Sequence, residues 1–178
     1  SQLLGADSGG LYLLTPDATA LECVVSLNRL QSYTGLRLSL EEGVAGRVVK
    51  SGQPMLVDDY HAWAGRAPVF EGASFRSVLG TSIEWQGRSM GALIITDDRP
   101  GLFGPGDLEF VRLFAAQAAV GIVNARLYTD VSGQATELSQ LFAASQEMGA
   151  CREPSEVLEV LAKHLTHALG VTSTYILE

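Results

Sequence analysis

The chain has 178 residues, 47% of them hydrophobic, which is enough for one full domain with a substantial core. Its formal net charge is −8 and its lysines and arginines stand as scattered singles, so we expect no nucleic-acid partner. The longest apolar run is far shorter than a membrane span, so we also expect no membrane contact. Cys23 and Cys151 lie far apart in sequence, which indicates a reducing, cytoplasmic setting rather than a disulfide framework.

The first part of the chain is patterned for an antiparallel sheet. Alternation of apolar and polar residues predicts a hairpin of two strands at 10–14 and 21–27, and a third strand at 36–40. Two apolar stretches at 77–85 and 90–97, joined by a short polar turn, predict a second hairpin. Because this second hairpin is the more hydrophobic of the two, we expect it to be central in the sheet.

The stretch GVAGRVVKSGQP at 43–54 raises the question of a phosphate-binding loop. Such a loop has glycine directly before Lys-Ser, whereas a valine stands there in this chain. The spacing instead predicts a short helix with Val44 and Val48 on one face. Gly46 would let this helix lie close to a sheet, and Gly52 is placed to end it. The glycines therefore predict packing rather than phosphate binding.

A long, alanine-rich helix is predicted from Pro105 to about Met148. A second amphipathic helix is predicted at 154–169 and a strand at 171–177. The order Leu-Gly, small polar residues and strand occurs both near the start of the chain and at its end. We therefore expect the last elements to begin a second copy of the domain, and the chain to be part of a longer protein.

Three segments in this order resemble a GAF domain. They are EEGVAGRVVKSGQPMLVDD at 41–59, SVLGTSIEWQGRSMGALIITDD at 77–98 and FGPGDLEFVRLFAAQAAVGIVNARLY at 103–128. The resemblance implies an α+β fold: a central antiparallel sheet of about five or six strands, helices packed on one side, a loop-covered pocket on the other, and a long helix after the sheet.

The resemblance also implies three parts of the chain. Residues 1–128 would form a GAF domain whose first helix is largely missing. Residues 129–150 would form a connecting signalling helix. Residues 151–178 would supply the first helix and strand of a second, truncated GAF domain.

The positions typical of cyclic-nucleotide-binding members are mostly changed. Those members carry Asn-Lys, then Phe, then Asp-Glu, and the matching residues are Asp98-Arg99, Phe103 and Asp107-Leu108. Phe103 and Asp107 agree, and an ion pair between Arg99 and Asp107 would keep one contact of the motif. The other three positions differ, so the resemblance disfavours cyclic-nucleotide binding.

Other cofactors of the family need residues that are not in place. Bilin-binding members attach the pigment through Cys next to His, and neither Cys23 nor Cys151 has a His neighbour. His61 with Asp58 and Asp59 would suit a metal, but an exposed loop is the simpler interpretation. The cofactor stays unassigned, with no metal expected and covalent bilin disfavoured.

The chain lacks the residue patterns of a catalytic site. One enzyme with this fold, the free methionine sulfoxide reductase, uses a set of cysteines around the pocket. Cys23 on an inward strand face and Cys151 beyond the domain do not supply that set. We therefore expect no enzymatic activity.

The resemblance implies a sensory or regulatory module that binds a small ligand under the loop over residues 58–76, which we call the pocket loop. The ligand state would pass through the C-terminal helix to a downstream output domain, as in sensor histidine kinases or cyclic-dinucleotide enzymes. The candidate ligand-binding residues are Trp63, Phe70, Phe75, Thr81, Arg99 and Asp107.

A ligand-free structural dimerisation module is the alternative function. Positions that step by four and three along the long helix are mostly apolar, which is typical of a coiled coil. They are Val120, Asn124, Leu127, Val131, Gln134, Leu138, Leu141, Ser145 and Met148. We therefore expect a homodimer through the helix 105–149 and the C-terminal segment.

Overall fold

A computed structural model gives the fold of the chain. It describes residues 5, 6, 8–27, 31–150, 156, 158–160 and 163, with side chains in the long helix described up to 129 and at 146. The chain divides into two compact units, Ser1–Val123 and Asn124–Glu178. The described residues of the second unit belong to the rest of the long helix and to helical residues after it.

The first unit is built on a six-stranded antiparallel sheet with the strand order β3-β2-β1-β6-β5-β4. Its elements in chain order are β1 Ser8–Leu14, β2 Ala20–Leu27, β3 Arg37–Ser39, helix α1 Gly43–Ser51, β4 Met55–Val57, a 3₁₀ turn Pro68–Phe70, β5 Ser77–Trp85, β6 Arg88–Asp97 and helix α2 Pro105–Ala150. The predicted fold class is confirmed, as are the strands predicted between residues 10 and 97, and β5 and β6 lie inside the sheet.

The β5–β6 hairpin is closed by a turn of two residues, Gln86 and Gly87. Both have positive φ angles, 50° and 75°. This is the geometry of a type I′ turn, whose twist matches that of the strands it joins. The tight turn fixes the register of the two longest strands, from Trp85 opposite Arg88 to Ser77 opposite Asp97.

Side chains of β5 alternate between two faces of the sheet. Leu79 and Ile83 are fully buried and pack with Val111, Ala115 and Ala119 of α2. The opposite face of the sheet packs against α1 and the pocket loop. Their shared core contains Tyr12, Leu21, Cys23, Val44, Val48, Tyr60, Phe70, Phe75, Val78 and Ile94.

The position of α1 differs from the prediction that helices pack on one side only. Val44 and Val48 are 3% and 0% exposed and lie in the same core cluster as Val78 of β5. The physical reason is Gly80, where an added Cβ would lie 2.5 Å from Cγ1 of Val44. The bare backbone of β5 lets the helix lie on the pocket side of the sheet.

The remaining glycines of α1 have the packing roles that the sequence predicts. A Cβ on Gly46 would lie 2.5 Å from the carbonyl oxygen of Leu40, just past β3. Gly52 ends the helix in the left-handed conformation, with φ 67°, and its N–H donates to the carbonyl of Val48. No phosphate-binding geometry is needed to explain either residue.

Helix α2 contains a longer apolar stretch than we expected from the sequence, where no apolar run was expected to be long enough to span a membrane. Within Pro105–Thr129, a window of 18 residues reaches a mean hydropathy of 1.3, and this part of the helix is, by length and composition, able to cross a membrane. A core helix of a globular domain passes the same test, and one face of this stretch packs on the sheet through Val111, Ala115 and Ala119.

The predictions for the C-terminal segment fall outside the described residues. This applies to the helix at 154–169 and the strand at 171–177, except that residues 156, 158–160 and 163 are helical. The side chains of the coiled-coil positions beyond Leu127 also lie outside the described part of the chain.

Candidate functional site

A cavity of about 40 Å³ lies between the sheet and the pocket loop. Its volume is that of about three water molecules. It is bounded by β1, β2, β5 and β6, by the start of α1, and by the pocket loop. The lining residues are Gly9, Gly10, Tyr12, Ser26, Tyr33, Leu38, Gly43, Val44, Ala45, Tyr60, Phe70, Phe75, Val78, Ile94 and Thr96.

Four aromatic rings form one wall of this cavity. Tyr33 meets Phe70 edge to face with ring centres 5.1 Å apart, and Phe70 meets Phe75 at 5.6 Å. Tyr60 lies 5.1 Å from Phe75. Edge-to-face pairs at these distances stabilise one another beyond the burial of their area. The wall is therefore a packed aromatic surface rather than a set of separate side chains.

Tyr60 gives this wall a hydrogen-bonding end. It is 2% exposed, and its phenol oxygen accepts the N–H of Ala67 at 2.9 Å. Because the oxygen serves as the acceptor, the phenol proton is left to donate. The phenol also lies beside the start of α1, since a Cβ built on Gly43 would be 3.4 Å from it.

The start of α1 adds backbone donors to the same region. The first N–H groups of a helix have no acceptor within the helix. Glu42, the N-cap residue, makes no side-chain hydrogen bond to them. Val44 and Ala45 both line the cavity, so this end of it is rich in hydrogen-bond donors.

The phenols of the site stay protonated. Burial raises the pKa of Tyr60 and of Tyr33 above their usual values. Burial, with the neighbouring Cys23, raises the pKa of Tyr12 further. Burial also raises the pKa of the Cys23 thiol, which is 1% exposed and donates to the carbonyl of Val25 at 3.3 Å. The cavity thus presents neutral hydroxyl groups and no thiolate.

The pocket loop is tied down by contacts at both ends. The Arg76 guanidinium bonds both carboxylate oxygens of Asp59, and this hydrogen bonding lowers the pKa of that carboxyl. The backbone N–H of Tyr60 donates to the carbonyl of Arg76 at 2.6 Å. The ring Nε2 of His61 lies 2.9 Å from the carbonyl oxygen of Ala73. These contacts close the loop on itself above the aromatic wall.

The structure brings two of the predicted ligand-binding residues to the cavity, Phe70 and Phe75. Trp63 is not in the lining; its ring lies 5.6 Å from that of Tyr60 and 5.0 Å from the guanidinium carbon of Arg47. Thr81 is 3% exposed and falls on the β5 face of Leu79 and Ile83, which packs against α2. The pleat of β5 therefore separates Thr81 from the cavity.

The predicted ion pair between Arg99 and Asp107 is wrong. Arg99 Nε bonds a carboxylate oxygen of Asp97 at 2.9 Å, and Asp107 accepts the N–H of Gly104 at 2.8 Å. Asp97 is fully buried at the end of β6, where the chain turns back and brings Arg99 onto it. Asp107 instead bonds the backbone just before α2. Both residues lie outside the cavity lining.

Several lining residues were missed by sequence reasoning. The polar side chains of the lining are those of Tyr12, Tyr33, Tyr60, Ser26 and Thr96. Two adjacent glycines at the start of β1, Gly9 and Gly10, were the signal that space opens there. The tyrosines lie on three different elements, so no spacing in the sequence links them.

The described residues contain no cluster of three or more His, Cys, Asp or Glu side chains that could hold a metal ion. The ring of His61, which the sequence placed near Asp58 and Asp59, contacts the loop backbone instead: its Nε2 lies 2.9 Å from the carbonyl oxygen of Ala73, while the backbone N–H of His61 donates to a carboxylate oxygen of Asp59 at 3.1 Å. The arrangement suits an uncharged small molecule better than a metal ion.

Curled antiparallel sheets with a long helix on one face and a ligand cavity on the other define a class of regulatory small-ligand-binding domains found in signalling proteins. The GAF domain family model matches residues 1–122, so the chain belongs to the GAF family.

Solved structures with the same fold include GAF domains and an enzyme. The chain is similar to the GAF domain of a phosphoenolpyruvate-protein phosphotransferase from Coxiella burnetii, with 24% identity, a TM-score of 0.65, and 72% and 79% of the two chains covered. It is also similar to the GAF domain of the phosphoenolpyruvate-protein phosphotransferase from Acinetobacter, with 19% identity and a TM-score of 0.63; the match covers 72% of this chain and 78% of that one. The third structure is free methionine-R-sulfoxide reductase from Neisseria meningitidis in complex with its substrate. Its identity to the chain is 19% and its TM-score 0.62, and the match covers 71% of this chain and 73% of that one.

Proposed function

We propose that this GAF domain is a sensory module that binds a small molecule in the cavity and passes its ligand state to α2. The observation that carries the proposal is that the same pair of strands, β5 and β6, lines the cavity and also contacts α2. Val78 and Ile94 of β5 and β6 line the cavity on one face, while Leu79 and Ile83 pack on α2 from the other.

This arrangement supports a relay because packed interfaces shift rather than deform continuously. A ligand that displaces Val78 or Ile94 moves strands whose next side chains contact the helix. Since α2 runs unbroken from Pro105 to Ala150, a shift or rotation at its start is carried along its axis. The output we propose is a downstream signalling domain, of the sensor histidine kinase or cyclic-dinucleotide enzyme type.

Catalysis like that of the reductases is not part of the proposal. Cys23 is 1% exposed and burial raises its pKa, which disfavours the thiolate that a nucleophile needs. Its Sγ is engaged with the carbonyl of Val25. Free methionine sulfoxide is a zwitterion, and the described lining of the cavity carries no charged side chain to pair with it.

Native mass spectrometry of the purified chain tests the proposal. We expect a retained small molecule in addition to the 18.9 kDa chain, released on denaturation. Ala45→Leu, which fills the cavity from α1, should abolish retention, and Ala116→Leu on the exposed side of α2 should not. A chain without any small molecule, together with no change of melting temperature across a metabolite library, would overturn the proposal.

A ligand-free dimerisation module is the second candidate. It is favoured by apolar side chains that α2 leaves exposed: Leu113, Phe114, Val120, Leu127 and Tyr128 are 38% exposed or more. Such a surface on a helix is typical of a protein interface. The two functions are compatible, because the exposed side chains and the cavity lie on different elements.

A further inference from the structure

We infer that the ligand of this cavity is an uncharged, largely apolar molecule of a few heavy atoms that carries a hydrogen-bond acceptor, such as a small ketone, ester or lactone. The inference rests on the proposed function, since it names the class of molecule that the sensory site takes. It follows from the lining of the cavity, its volume and the position of its donors.

The charge of the lining decides the first property. None of the described lining residues is Asp, Glu, Lys, Arg or His. Taking a charged group out of water without a paired partner is strongly unfavourable, so a buried ion needs a counter-charge in its site. The cavity offers none, and this disfavours amino acids, nucleotides and metal ions as its ligands.

The apolar lining decides the second property. The aliphatic side chains of Leu38, Val44, Val78 and Ile94 line the cavity together with the aromatic wall of Tyr33, Tyr60, Phe70 and Phe75. Pockets of this kind hold apolar molecules, with a few polar groups that set their orientation. The volume of about 40 Å³ limits the occupant of this conformation to a few heavy atoms.

The donors at one end decide the third property. The phenol of Tyr60 accepts from Ala67 at 2.9 Å, so its proton is available to a ligand oxygen. The start of α1 adds backbone N–H groups beside it: the N–H of Gly43 donates to the carbonyl of Gly65, but Glu42 provides no side-chain cap, and Val44 and Ala45 line the cavity. A carbonyl oxygen accepts two hydrogen bonds and carries no net charge, and it therefore matches this end of the cavity.

Four probes with five heavy atoms each separate these properties: 2-butanone, 2-methylbutane, propionate and sec-butylamine. The full chain is labelled at isoleucine and valine methyl groups, because Val44, Val78 and Ile94 report on the cavity. Methyl chemical-shift titration at pH 7 should give a dissociation constant in the millimolar range, about 1 mM, for 2-butanone. The hydrocarbon should bind about tenfold more weakly, and the two ions should not shift these methyl groups.

Tyr60→Phe tests the acceptor contact, with Tyr128→Phe as its matched control on α2, where the side chain is 78% exposed. The first variant should weaken 2-butanone about tenfold and leave 2-methylbutane unchanged, and the control should change neither. The four probes on the unaltered chain test the inference even if Tyr60→Phe does not fold. Tighter binding of propionate or sec-butylamine than of 2-butanone would overturn the ligand class and leave the proposed function standing. No shift with any probe would also overturn the ligand class, whereas the proposed function is tested separately by the retained molecule and the melting temperatures.

Discussion

At the scale of single residues, short polar side chains hold the connection from β6 to α2. The Ser77 hydroxyl donates to the carbonyl of Arg99 at 2.6 Å and accepts the N–H of Leu102 at 2.9 Å. The buried carboxylate of Asp97 accepts the backbone N–H of Arg99 and is paired with its guanidinium. A buried carboxylate needs such compensation, so this loop is fixed by β-strand residues rather than by a ligand.

The carboxyl of Asp59 makes the closure of the pocket loop dependent on pH. Hydrogen bonding from Arg76 lowers its pKa below the usual 3.8. A group whose pKa is lower in the folded state stabilises the fold fully above its unfolded value, and this contribution is lost as pH falls through the folded value. The pair thus contributes to holding the loop at neutral pH, and this contribution is lost in acid.

We therefore predict that Asp59→Asn lowers the free energy of unfolding at pH 6 and has a smaller effect as pH falls below about 3.8. Urea unfolding of the variant and the unaltered chain between pH 6 and pH 3 measures this difference. Glu71→Gln, an exposed acid in the same loop, serves as the control and should show a much smaller difference at pH 6. A difference for Asp59→Asn that stays constant across the range would contradict the role of the ion pair.

At the scale of elements, Gly46 of α1 and Gly121 of α2 differ in their surroundings, and only Gly46 is in close contact with a neighbouring backbone. Gly46 of α1 has a carbonyl oxygen, that of Leu40, 2.5 Å from where a Cβ would lie. At Gly121 of α2, none of the described residues has an atom within 4 Å of that point. The first glycine is required by close packing, and the second is not.

Substituting each glycine by alanine should therefore shift stability in opposite directions. Gly46→Ala should lower the free energy of unfolding by about 1–3 kcal/mol, because the backbone of Leu40 must move. Gly121→Ala should raise it by about 0.5–1 kcal/mol, because alanine favours the helix and meets no neighbour. Equilibrium denaturation with urea measures both. Equal effects of the two substitutions would show that the approach of α1 to Leu40 is not tight.

These elements also show how far the sequence predicts the structure. The strands were predictable because apolar residues alternate along them, and the end of α1 was predictable because Gly52 adopts a left-handed conformation. The cavity was predictable only in part. Phe70 and Phe75 could be assigned to it from their place in an irregular loop. Thr81 was assigned wrongly, because the face of a central strand that is buried on both sides cannot be read from its composition.

The tyrosines of the cavity mark the limit of sequence reasoning. Tyr12, Tyr33 and Tyr60 come together only because β1, the segment after β2 and the pocket loop meet on one face of the sheet. Contacts between residues so far apart in the chain depend on the tertiary fold rather than on local patterns. The same holds for Asp97, whose burial at the end of β6 draws Arg99 away from Asp107.

At the scale of the whole molecule, the sheet covers only one face of α2. Its buried face contacts the sheet, while Leu113 and Tyr128 are 68% and 78% exposed. Leaving large apolar side chains in water forgoes about 25 cal/mol for each Å² that a partner would bury. We propose that a second copy of the chain covers this surface, with α2 and the C-terminal segment forming the dimer.

The dimer proposal predicts the effect of charges on the exposed face of α2. Val120 and Leu127, 40% and 56% exposed, are seven residues apart and therefore lie on the same side of the helix. The double variant Val120→Lys and Leu127→Lys should convert the dimer to monomers, because apposed helices would bring like charges together at the seam. Multi-angle light scattering measures the mass, and circular dichroism checks that the domain stays folded.

Two further chains test the dimer interface: a control variant with a lysine on another side of α2, and a chain that ends at Ala150. Thr129→Lys adds one such charge at an exposed position that is not on the stepped face, and it should leave the dimer intact. A chain ending at Ala150 should still dimerise, but with a larger dissociation constant, because it loses the leucines predicted at 154–169. The interface would lie elsewhere if the double variant kept the mass of the unaltered chain. At about 100 μM, an interface with a dissociation constant of about 1 mM would be only slightly populated. A monomeric mass for the unaltered chain at this concentration would therefore remove the proposal of a stable dimer. The sensory function would then rest on the cavity alone.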